Sequence, residues 1–153
     1  MANTTTDRRS FLKTGAIVAA LADDGSRARL ARLEDERAVE ALQRKFVRYL
    51  NGSGDCGEFV APSGSVELGE GLRSIAEDMR HEASVELADD GRSARIRCAC
   101  RIEREAEFAG DTTVEQMTRF QGQGSHRFVE RRVLATEFVK DRDGWRIAAA
   151  RLA

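Results

Sequence analysis

The chain has 153 residues, 41% of them apolar and 33% charged, the composition of one globular domain rather than of a disordered segment. Its 25 basic and 26 acidic residues give a net charge of −1 and are interleaved, which argues against a dedicated nucleic-acid or membrane face. Three cysteines without C-x₂-C or His-x₃-His spacing predict neither a disulfide framework nor a metal site, and with no Gly-rich phosphate loop no cofactor is expected.

The N-terminus reads as an address. Asp7-Arg8-Arg9-Ser10-Phe11-Leu12-Lys13 precedes a small apolar run, Thr14 to Ala22, that ends in the A-x-A pattern Ala20-Leu21-Ala22. This run is too short to span a bilayer. The Arg-Arg-x-Phe-Leu-Lys core resembles the twin-arginine export signal, although Asp7 stands where that signal usually has Ser or Thr. The expected organisation is an export signal over 1–22 and one domain over 23–153. The domain would be periplasmic or secreted, or cytoplasmic if the signal does not work, with no membrane contact beyond that signal.

Ser26 to Leu50 follows as an amphipathic helix, with Val39, Leu42, Phe46, Tyr49 and Leu50 in one stripe and Leu30 and Leu33 extending it. Asn51-Gly52 stops it. After a loop, a helical turn is expected at Glu58-Phe59-Val60, a strand at Ser65 to Leu68, and a third helix over Glu70 to Met79 carrying Leu72, Ile75, Ala76 and Met79 on one side. Residues 82–88 alternate as a strand, and Asp90-Gly91 turns it back.

The next stretch dominates the pattern. From Ala94 to Phe108 the even positions are apolar except Arg104, and the odd ones are charged except Ala99. Only a β-strand separates alternate residues this way, and one this long needs strands on both sides and an apolar cover. Cys98 and Cys100 lie on its apolar face as small buried hydrophobes, as does Cys56 elsewhere. Residues 111–121 read as a short helix with the capping box Thr112-x-x-Glu115, strand being the alternative. Two strands then close the chain, about 126–140 and 145–152. Phe128, Leu134 and Phe138 share one face, and Trp145, Ile147 and Ala149 another. The fold class is α+β, a strongly curved antiparallel sheet forming a cone around the long N-terminal helix, with short accessory helices. The mouth of such a cone suits a small-molecule pocket.

Three segments resemble SnoaL-like domains of the nuclear-transport-factor-like superfamily. Glu34 to Gln43 resembles the opening helix, Glu58 to Val66 the junction into the first strand, and Asp143-Gly144-Trp145-Arg146-Ile147 the closing strand. The resemblance implies the cone fold and a family that holds both enzymes and binding proteins. By the same resemblance, His81 stands where dehydratases of the family place a pocket acid–base histidine. Asn51 and Phe46 stand where those enzymes have Asp and Tyr, and neither can move a proton.

The expected function is therefore binding of a small, largely apolar molecule, with Tyr49, Asn51, Phe59, Gln116 and Phe120 around it. The alternatives are acid–base lyase or isomerase chemistry using His81, Asp55 and His126, or a structural module whose cone is filled by its own side chains. On the outer face of the long strand Arg95, Arg97 and Arg101 lie at one end and Glu103, Glu105 and Glu107 at the other. A two-fold axis would match these ends between two copies, so a homodimer through this face is expected.

Overall fold

The computed structural model describes the backbone of residues 8–52, 56–78 and 83–153, with side chains for all of these except 8–23 and 56. The chain forms two compact units, Met1–Asp35 and Glu36–Ala153. Helix α1 spans Arg8–Leu50, beginning well before the expected Ser26. Its early part includes the run Thr14 to Ala22, in which four of nine residues are alanine, the best helix former. In the first unit Leu30 and Leu33 are 57% and 52% exposed.

In the second unit, six strands form one sheet: β1 Val60–Glu67, β2 Leu72–Glu77, β3 Ser84–Leu87, β4 Ser93–Glu107, β5 Ser125–Lys140 and β6 Trp145–Leu152. The order is β1-β6-β5-β4-β2, with β3 also on β4. β2 takes Cys100 to Arg104 of β4 and β3 takes Ala94 to Arg97, so the long strand holds two short partners along one edge. The alternation predicted for β4 is realised: Ala94, Ile96, Cys98, Cys100 and Ile102 are buried, whereas Arg95, Arg97 and Arg101 are exposed.

Four expectations need correction. Glu70 to Met79 is not a helix; its described part is β2, antiparallel to β4. Leu72 pairs with Arg104 and Ser74 with Glu103, so a bulge at Arg73 puts Leu72 and Ile75 on the same face three residues apart. That spacing imitates a helix. Around Phe59, the helical turn falls at Cys56–Glu58 and the strand starts at Val60. Pro62 is tolerated because β1 is an edge strand whose register is irregular between Val60 and Ser65. The sheet is also not wholly antiparallel, since β1 runs parallel to β6. No hairpin joins these two strands, so no tight turn forces them antiparallel. Lastly, β6 buries Ile147 and Ala150 rather than Ile147 and Ala149. Phe138 pairs with Ile147 but Glu137 with Ala149, and this bulge flips the alternation.

The Glu36–Leu50 part of α1 covers the inner face of the sheet. Val39, Gln43 and Phe46 are buried at helical spacing, with Leu42, Val47 and Leu50 partly buried beside them. Val39 and Phe46 pack with Ile96, Phe138, Ile147 and Ala150, and a second cluster joins Ile75, Cys98, Cys100, Ile102 and Leu134. Fully burying a side chain such as Phe46 stabilises the fold by about 1.5–3 kcal/mol.

Beyond Ile102 the inner face of β4 carries a charge at Arg104. Arg104 donates from Nε to Glu130 at 2.7 Å, from Nη1 to the Glu70 carbonyl and from Nη2 to the Leu68 carbonyl, both at 2.6 Å. The one charge on the apolar face thus ties the β1–β2 loop to β4 and β5. Helix α2, Thr113–Phe120, has the predicted capping box, with Glu115 N donating to Thr112 Oγ1 and Thr112 N to Glu115 Oε2. It ends in a Schellman motif: Gly122 N donates to Arg119 O, Gln123 N to Thr118 O, and Gly122 supplies the positive φ of 80°.

Candidate functional site

A pocket of about 360 Å³ lies between α1 and the β2–β3 edge of the sheet. The helix contributes Glu40, Gln43 and Arg44; the sheet side contributes Glu77, Val85 and Ile96, with Ala83 just ahead of β3. Glu40 and Arg44 are exposed. Gln43, by contrast, is only 3% exposed and sits between Val39 and Phe46 in the buried stripe.

A polar residue in that position needs partners, because a buried amide without them costs free energy. Its Nε2 donates to Cys98 Sγ at 3.7 Å. The Cys98 and Cys100 sulfurs lie 3.5 Å apart, with either thiol able to donate, and Cys100 Sγ also reaches the Cys98 carbonyl at 3.5 Å. With Nε2 turned to Cys98, Oε1 is the end of the amide left over. That Oε1 and Glu77 Oε1 are both buried side-chain oxygens with no hydrogen-bond partner. Two buried acceptors thus stand unpaired on residues that line the pocket, beside the apolar Val85 and Ile96.

Both described thiols are free and buried. The hydrogen bond to Cys100, and burial with it, pushes the Cys98 thiol up, so Cys98 is held protonated and is a poor nucleophile. Among the described residues no group of three or more His, Cys, Asp and Glu side chains is arranged to hold a metal ion.

Among the described residues, those expected to form a site do not line this pocket. His81 and Asp55 lie outside the described residues, as do Met79 and the side chain of Cys56. His126 pairs opposite Ala106 on the core-facing side, but beyond the core. Its ring stacks between Phe108 and Phe128, with centroids 5.0 and 5.5 Å away. Tyr49 packs edge-on against Phe59 at 5.4 Å. Asn51 has both ends of its amide engaged, since Nδ2 donates to Ile75 O and Oδ1 accepts from Ile75 N, each at 2.7 Å. It fastens the helix end to β2 as another strand residue would. Gln116 and Phe120 belong to α2, where Gln116 Nε2 donates to Gly110 O and Phe120 is 94% exposed.

Gln43 and Glu77 were not anticipated. Gln43 falls in phase with Val39, Phe46 and Leu50, and a polar residue inside an apolar stripe is the signal that marks it. Glu77 carries no such mark while β2 is read as a helix.

The helix-covered curved sheet defines an α+β cone fold of the nuclear-transport-factor-like type. Among solved structures it is similar to an NTF2-like protein with a cystatin-like fold from Novosphingobium aromaticivorans, at a TM-score of 0.53 and 17% identity, covering 82% of this chain and 85% of that one. No family model matches the sequence, and no curated protein matches it.

Proposed function

We propose that this is an exported domain that binds a small molecule between α1 and the β2–β3 edge. The observation that carries the reading is the pocket of about 360 Å³, lined by Gln43 and Glu77, whose buried Oε1 atoms have no partner among the described residues. Its apolar floor accepts the body of a ligand and its polar wall orients one end. The test is an isoleucine-methyl NMR screen of small amphipathic molecules against the full chain. A binder shifts the Ile96 methyl and leaves Ile102 and Ile147 in place, and Ala83→Trp, which fills the pocket, abolishes the effect. Acid–base chemistry would rest on His81 with Asp55 or His126; of these the described residues include His126 alone, stacked between Phe108 and Phe128.

Export rests on Arg8-Arg9-x-Phe11-Leu12-Lys13 and the Ala20-Leu21-Ala22 pattern. Cell fractionation tests it: replacing Arg8 and Arg9 by Lys leaves the protein in the cytoplasm, and unchanged export contradicts the proposal. A homodimer through the outer sheet face is supported by charge. The register sets Arg101 directly across from Arg131, like charges that destabilise a lone sheet, while Glu103 and Glu107 lie further along β4. Light scattering at low salt should give a dimer that dissociates as salt is added; a monomer at low salt contradicts it.

A further inference from the structure

The unmet acceptors say what kind of molecule the pocket takes. We infer that its ligand carries a cationic nitrogen, a primary amine or amidine on an apolar body, held by the Glu77 carboxylate and Gln43 Oε1. This rests on the small-molecule reading of the pocket above. Gln43 Oε1 can only accept, and Nε2 at the other end of the amide donates to Cys98 Sγ. Glu77 Oε1 is an acceptor by its chemistry, and it too is buried without a partner. Two acceptors with no donor call for a group with at least two N–H bonds, and a carboxylate beside them favours a positive one. An anionic ligand would set its charge against Glu77, and among the described lining residues the one cation, Arg44, is solvent-exposed. The remainder of the ligand lies on Ala83, Val85 and Ile96, so a purely hydrophilic cation would leave that floor uncovered.

Three molecules of similar shape separate the possibilities in calorimetric titration of the full chain: 2-phenylethylamine, 2-phenylethanol and phenylacetate. The amine should bind at least tenfold more tightly than the alcohol, and phenylacetate should not bind. Glu77→Gln, which keeps shape and hydrogen bonding, should bring the amine to the level of the alcohol and leave the alcohol unchanged. Gln43→Met should weaken both. Phenylacetate binding as tightly as the amine, or amine binding indifferent to Glu77→Gln, overturns the cationic ligand while leaving a binding pocket. If none of the three binds and none shifts the Ile96 methyl, water alone satisfies the two oxygens, and both the ligand class and the pocket reading fail.

Discussion

Single residues show where this fold gives up stability. Thr136 is fully buried, opposite Ile96, and its hydroxyl has no partner. An isosteric Thr136→Val substitution removes an unsatisfied polar atom and should raise stability by about 1–2 kcal/mol, read by denaturant unfolding. Gln43 is similar in burial but different in consequence. Gln43→Met should also stabilise, by about 1 kcal/mol, while impairing the pocket, which is the exchange expected of a binding residue. A Gln43→Met protein that is markedly less stable would make Gln43 a structural residue instead. Asn51 has a structural part, because its amide completes the hydrogen bonds of Ile75. Asn51→Ala should cost about 1–3 kcal/mol and leave ligand binding intact.

At the scale of elements, the β1–β2 connection is the most constrained. Gly71 has φ of 70°, and a Cβ there would clash with the Glu105 carbonyl oxygen, while Glu105 N donates to Gly71 O at 2.8 Å. Gly71→Ala therefore incurs about 1–3 kcal/mol of backbone strain, with the clash in addition, and should lower the melting temperature more than any surface substitution on α2. Elements with one clean period were legible in the sequence. β4 follows its alternation along the core, and α2 has the capping box that Thr112 and Glu115 announced. β2 was not legible because the bulge at Arg73 puts Leu72 and Ile75 three apart, a helical spacing produced by a sheet defect. β6 slipped by the same mechanism beyond Ile147. The site was less legible than the fold for a connected reason. Glu77 lies on the misread strand, and Gln43 becomes conspicuous only once its helix position is known to be buried.

For the whole molecule, two carboxylates join distant parts of the second unit. Glu130 is held below the usual carboxylate range by the hydrogen bond from Arg104, with Arg132 adding to it, and Glu105 by the hydrogen bond from Ser125, with Arg73 and Arg127 nearby. Both folded-state values lie below the ordinary 4.5, so this stabilisation is complete above that pH and is lost as the pH falls through the lowered values. Thermal unfolding should show a plateau above pH 4.5 and a decline below it, and Glu130→Gln should flatten the decline. Cys98 acts at the other end of the scale. Its raised thiol gives stability that is complete below 9.0 and lost as the pH rises beyond it, because the unfolded chain releases that proton first.

The central claim is that the space between α1 and the β2–β3 edge is a binding pocket. The isoleucine-methyl spectrum of the full chain, titrated with 2-phenylethylamine, tests it most directly, because Ile96 lines that space while Ile102 and Ile147 lie in the core away from it. The account predicts a saturable shift of Ile96 alone, lost in Ala83→Trp. Equal movement of all three methyls, or a shift that survives Ala83→Trp, would contradict it.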